Sequence, residues 1–170
     1  MDERQAIYTK APNRRCICTL KDTNTNNVKD RHIARFLYHG QMVKKALIVD
    51  DYPFDVELTR RVLHGCTVDH NVVVVPDGEE ALRALNQAHD FDVVLLDLKL
   101  PKVDGFEVLK EISSKPFLSD IPVIVLSNSR NEADRMRARM LGAGDFVEKA
   151  MDFGVFKADL TRALGQCGFA

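Results

Sequence analysis

The sequence has no tryptophan, and its 170 residues include only six prolines and nine glycines, with aromatics at 7%. So small a share of Pro and Gly excludes a collagen-like or low-complexity chain. No apolar run approaches the roughly 20 residues that cross a bilayer, and the N-terminus lacks the apolar core of a secretory signal. The expected location is cytoplasmic, with no membrane partner. Cys16, Cys18, Cys66 and Cys167 show no framework spacing and read as reduced thiols. The single residue between Cys16 and Cys18 and the six between His32 and His39 do not fit a zinc finger. A net charge of −1 argues against a nucleic-acid binder.

What is present is a globular composition, 45% apolar and 29% charged, at a length that suits one well-buried domain. Residues 1–42 hold eight Lys/Arg against four Asp/Glu, and the remainder sixteen against twenty-one, so a basic tail precedes an acidic body. From residue 44 onward short apolar runs alternate with amphipathic stretches. "KALIVD" is followed by "PFDVELTRRVLH", with Phe54, Leu58 and Val62 on one helical face. "VVVV" (72–75) precedes "DGEEALRALNQA", where Asp77 and Glu80 read as a capping box. "DVVLLD" (92–97) leads through a Pro-Asp-Gly loop into "FEVLKEIS". "IPVIVLS" (121–127) leads into "RNEADRMRARML", with Ser129 as its cap and an inward stripe of Ala133, Met136 and Met140. "DFVEK" (145–149) leads into "FGVFKADLTRAL", with Phe153, Phe156, Leu160 and Ala163 on one stripe.

Five strand-helix units in strict alternation imply a flavodoxin-like, doubly wound (βα)5 α/β fold, a five-stranded parallel sheet with helices on both faces. The expected boundaries are a domain over residues 44–166 and a largely irregular extension over 1–43. In that extension "KDTNTNNVKD" has no period, and "HIARFLY" (32–38) hints at a short helix. Met42 is a candidate natural start, because "MVKKALIVDD" reads as a complete beginning.

In such a sheet all strands point one way, so residues at their carboxyl ends share one edge, where ligands bind. Asp50 and Asp51, Asp97, Ser127 and Lys149 stand at four of those ends. Pro53 enforces the first stop by starting a helix right behind the acidic pair. Three carboxylates brought together repel unless a cation joins them. Mg2+ suits them, since it prefers oxygen ligands and is held by one or two carboxylates with room for phosphate. A lysine across the site would then stabilise a transferred phosphoryl group.

These residues resemble the receiver domains of two-component response regulators, over about residues 44–164. "LIVDD" looks like the acidic-pair motif and "LLDLKLPKVDG" like the phosphoacceptor motif. "VIVLSNS" looks like the strand ending in a hydroxyl residue, and "GAGDFVEKA" like the strand bearing the lysine. The intervals of thirty positions from Asp97 to Ser127 and twenty-two from Ser127 to Lys149 fit the family as well. The resemblance implies that Asp97 accepts a phosphoryl group from a histidine kinase. It implies that Asp51 and Asp97 coordinate Mg2+, with Asp50 acting through water and the Lys99 backbone carbonyl as a further ligand. Ser127 and Lys149 would bind the phosphoryl group, and Phe146 would be the switch aromatic whose rotamer follows the state of the site.

Two departures stand out. The family usually has proline after its lysine, joined by a cis bond, whereas here Ala150 follows. A strained cis Lys149–Ala150 bond is expected on that basis, although without proline it costs ~2.5 to 4 kcal/mol. Asn128 is bulkier than the residue usual after the hydroxyl position. Blander readings also exist. Asp50 and Asp51 could cap a helix, Phe146 could be core, and Arg130, Arg135, Arg137 and Arg139 could be a solvated face rather than an output surface for an acidic partner. "GAG" (142–144) reads as a helix-ending turn.

The resulting expectation is a single-domain, chemotaxis-regulator-like response regulator, not an enzyme, similar to the small regulators paired with phytochrome-type kinases. About twenty residues follow Lys149, enough for one last helix, so the signal is expected to leave by contact with a downstream protein target. A homodimer, a phosphorelay shuttle feeding a histidine phosphotransfer protein, and a receiver-like scaffold that is never phosphorylated all remain open.

Overall fold

The computed structural model describes residues 9–10, 16–17, 43–88 and 90–170. The chain divides into two units, Met1–Met42 and Val43–Ala170. In the first, β1 (Thr9–Lys10) pairs antiparallel with β2 (Cys16–Ile17). The sequence predicted no strand there, and two-residue strands are too short to show a period. The "HIARFLY" segment and the Cys18, His32 and His39 positions lie outside the described residues.

In the second unit β3 (Lys44–Val49), α1 (Pro53–His64), β4 (His70–Val75), α2 (Gly78–Gln87), β5 (Val93–Asp97), α3 (Gly105–Ser114), β6 (Val123–Ser127), α4 (Glu132–Met140), β7 (Asp145–Glu148) and α5 (Phe153–Gln166) alternate without exception. The five strands form one parallel sheet in the order β4-β3-β5-β6-β7, the flavodoxin-like order, with its topological switch between β3 and β5.

Alternation along each strand divides the core in two. Leu47, Val49, Val94, Leu96, Val123 and Val125 face Ala81 and Leu85 of α2, Val108, Leu109 and Ile112 of α3, and Ala138 of α4. Ala46, Ile48, Val93, Leu95, Ile124 and Leu126 face Val62 and Leu63 of α1 and Phe156, Leu160 and Leu164 of α5. Central strands buried on both faces must be apolar throughout, which is why they appear as unbroken runs rather than alternating ones. The second core extends past the last helix to Phe169, which is fully buried.

Asp77 caps α2 by accepting from the Glu80 N–H at 2.8 Å, as its position predicts. Three expectations need correction. Asn131, not Ser129, caps α4, accepting from the Ala133 N–H at 2.9 Å; the Ser129 hydroxyl instead donates to Asp134 at 2.6 Å. The stripe of Met136 and Met140 is not inward, for they are 58% and 85% exposed, and Ala138 is the residue α4 buries. A small residue lets the helix approach the sheet closely, and 3.6-residue periodicity allows a polar helix more than one candidate stripe. Phe54 is likewise 61% exposed while Val62 is buried, because the core-facing stripe of α1 runs through Thr59, Val62 and Leu63. Gly142 ends α4 in the left-handed region at φ 93°, as the "GAG" reading expects.

Candidate functional site: an acidic cleft closed by one lysine

The register of the sheet assembles the site. Val49 pairs with Leu96, so Asp50 follows β3 beside Asp97, the last residue of β5. Asp97 in turn pairs with Leu126, which puts Ser127 one position on. Ser127 pairs with Glu148, and the Lys149 N–H continues that ladder by donating to the Ser127 carbonyl at 2.9 Å. Gly105 completes the frame: a Cβ there would meet the Asp97 carbonyl oxygen at 2.2 Å, so only glycine lets the start of α3 pack against the end of β5.

Asp50, Asp51 and Asp97 each offer an oxygen to one cluster, all within 4.8 Å of one another. Asp50 and Asp97 are buried and Asp51 is exposed. This donor set fits a hard divalent cation, which takes carboxylate oxygens and keeps open positions. Asp97 Oδ1 accepts from the Lys99 N–H at 3.1 Å. Asp50 Oδ1 accepts from the Tyr52 N–H at 3.0 Å. Lys149 Nζ donates to Asp50 Oδ2 and Asp97 Oδ2, each at 2.7 Å, and to Asp55 Oδ2 at 3.0 Å.

Burial pushes the Asp50 carboxyl above its ordinary range, and the nearby Asp97 charge adds to the rise, against the downward pull of the Lys149 hydrogen bond. Burial also works against the Lys149 ammonium, but the Asp97 charge and the hydrogen bonds to Asp50 and Asp97 outweigh it and hold that pKa above the ordinary lysine value. Lys149 is therefore a permanent cation here.

Asp55 is a site residue that the sequence did not announce. A local signal was available: it lies four residues after Asp51 in the first turn of α1, where side chains tilt back toward the helix start. The Lys149–Ala150 peptide is trans, not cis. Without proline the cis form carries its full cost, and Lys149 reaches three carboxylates from the trans backbone. Ser127 is buried, its oxygen accepting from the Ser129 N–H at 3.1 Å. Phe146 is 3% exposed, in the same core as Val125, with the Arg135 guanidinium 4.8 Å from its ring centroid. Arg137 lies 4.1 Å from the Phe106 centroid, and Arg130, Arg137 and Arg139 are exposed while Arg135 is half-buried, so the four form a largely solvated face. Asn128 is exposed. An open cavity of about 540 Å3 between α3 and α4, lined in part by Phe106, Met136 and Met140, shares no residue with the acidic cleft. Cys66 and Cys167 are free, with burial raising both thiols. No described helix is long and apolar enough to cross a membrane.

Known proteins resemble this chain in sequence and in fold. Response regulator Rcp1 of Synechocystis sp. is 38% identical over 113 residues, which cover 63% of this chain and 77% of Rcp1. Regulatory protein VirG of Agrobacterium tumefaciens is 35% identical over 131 residues, 76% of this chain but 46% of VirG, so the chain spans about half of that relative. The crystal structure of the phosphorylated cyanobacterial phytochrome response regulator RcpA superposes with a TM-score of 0.67 at 39% identity, covering 72% of this chain and 91% of that one. The Mn2+-bound form of Rcp1 gives 0.66 at 34% identity, covering 72% and 92%. With residues 46–161 matching the family described as the response regulator receiver domain, the chain belongs to that family.

Proposed function

We propose that this protein accepts a phosphoryl group from a histidine kinase on Asp97 and signals by phosphorylation-dependent contact with a downstream protein in the cytoplasm. Residues 44–166 would be the receiver and residues 1–43 an extension of it. The observation that carries this reading is the Lys149 ammonium 2.7 Å from Asp97, at the edge of a three-carboxylate cluster. Phosphoryl transfer depends on positioning and charge neutralisation more than on covalent help.

An Asp97 oxygen would attack the phosphorus in line, and the bond from phosphorus to the kinase histidine would break. The Lys99 N–H holds Asp97 Oδ1, which sets the carboxylate rotamer. Lys149 would pair with an equatorial phosphoryl oxygen, and the Ser127 hydroxyl would donate to another. Asp50, Asp51, Asp97 and the Lys99 backbone carbonyl would hold Mg2+, which supplies neutralisation of the phosphoryl charge. Phe146 would follow Ser127 when the hydroxyl engages that group, and Arg135 would move with the ring it covers. RcpA was crystallised as a phosphorylated regulator and Rcp1 with Mn2+ bound, and these two relatives support both parts of this reading.

The test is incubation of the full chain with acetyl phosphate and Mg2+. The expected product is a base-labile adduct of one phosphoryl mass that is absent in Asp97→Ala. No adduct on the wild-type chain would favour a receiver-like scaffold instead.

A further inference from the structure

We propose that Asp55 is a positioning residue, holding the Lys149 ammonium beside Asp97 while Asp50 and Asp97 change partners. An ammonium has three protons and no acceptor capacity. Lys149 meets three carboxylate oxygens, one each from Asp50, Asp97 and Asp55. These partners are not equivalent. Asp50 and Asp97 belong to the cluster whose oxygens lie within 4.8 Å of one another, and Asp55 does not. The first two are thus called on by a cation or by the incoming phosphoryl group. Asp55 is the one acceptor of the three whose bond to Lys149 neither event needs to break.

Its placement suits a fixed anchor. Asp55 lies in the first turn of α1, which Pro53 starts, and the partial positive charge of a helix N-terminus favours a carboxylate there. Its side chain is 17% exposed, so the bond to Lys149 is shielded from water. Lysine is a point charge on a flexible four-carbon stem, and by itself its direction is poorly fixed. A third acceptor on the α1 side limits where the ammonium can go when the other two turn away.

The kinetic arm of the test rests on the phosphoryl-transfer reading, and a second arm does not. In the first, Asp55→Asn slows phosphorylation by acetyl phosphate at saturating Mg2+ by about tenfold, Asp55→Glu restores most of the rate, and Asp55→Asn adds nothing in a Lys149→Ala background. An unchanged or faster rate in Asp55→Asn, or an effect that persists undiminished without Lys149, would overturn the proposal. In the second arm, Lys149 of the full chain is labelled with an amine reagent, with no phosphoryl donor present, and read by peptide mass spectrometry. Labelling rises several-fold in Asp55→Asn and Asp55→Leu but not in Asp55→Glu. Equal labelling in all four proteins sinks the anchor role. If the wild type takes no phosphoryl group, the proposed function fails while labelling still decides the role of Asp55.

Discussion

Lys149 Nζ lies 2.7 Å from Asp50 Oδ2 across 99 residues of sequence, and both side chains are almost wholly buried. A buried pair of this kind contributes little net stability, because desolvation offsets attraction, but removing one partner leaves an uncompensated charge and costs about 3 to 5 kcal/mol. Lys149→Ala should therefore lower the denaturation midpoint markedly at pH 7, and adding Asp50→Asn should recover part of the loss.

Divalent cations should stabilise the fold and do so in a pH-dependent way. At a hundredfold excess over its dissociation constant, Mg2+ should add about 2.7 kcal/mol to unfolding free energy. The raised Asp50 pKa means this carboxylate takes up a proton at a higher pH than an ordinary one. By itself that makes the ion-free fold lose stability as pH rises from 3.8 through the folded value. Cation affinity should run the opposite way, falling on acidification as Asp50 is protonated. Lys149, raised above 10.5, stays charged throughout and contributes no slope in this window. Calorimetric Mg2+ titrations at about pH 5 and about pH 7.5 check the sign, and Asp50→Asn should flatten the dependence.

Gly105→Ala should destabilise the protein by about 1 to 3 kcal/mol, since the added methyl group would meet backbone atoms of Asp97 and Leu98 that cannot rotate away. Denaturant unfolding measures it. The same variant should weaken cation binding, because relief of the clash must move the Asp97 backbone.

Ser127→Ala should fold normally yet accept phosphate more slowly, by about a hundredfold if its hydroxyl donates only to the transferring group. Stopped-time mass spectrometry with acetyl phosphate measures the rate. An unchanged rate would remove Ser127 from the proposed mechanism.

The exposed methionines of α4 offer a check on its rotation. Met136→Ser and Met140→Ser should each change stability by no more than about 0.5 kcal/mol. Ala138→Leu, which overfills the helix-sheet contact, should cost about 1 to 3 kcal/mol by the same unfolding measurement.

The strands were legible because burial on both faces leaves unbroken apolar runs such as Val93–Leu96, and the acidic edge followed because parallel strands end together. The face of α4 was not legible. With Arg135, Arg137 and Arg139 interleaved with methionines, residue type alone favoured the larger apolar side chains, while close approach to the sheet required the smaller Ala138. The place of Asp55 in the first turn of α1 was legible, but the cation it meets was not, because that depends on how far Lys149 reaches, a tertiary distance. The Lys149–Ala150 bond shows the reverse error, in which a family habit was extended to a position lacking the proline that sustains it.

Asp50, Ser127 and Lys149 each sit one place past, or at the end of, a run whose apolar members choose between two cores. A one-residue slip of any of these strands would carry its terminal side chain about 3.3 Å along and turn it to the opposite side of the sheet. The same slip would exchange the side chains that face the two cores, so each would meet helices it does not fit. Side-chain fit inside the two cores therefore also fixes where the reactive groups stand at the sheet edge.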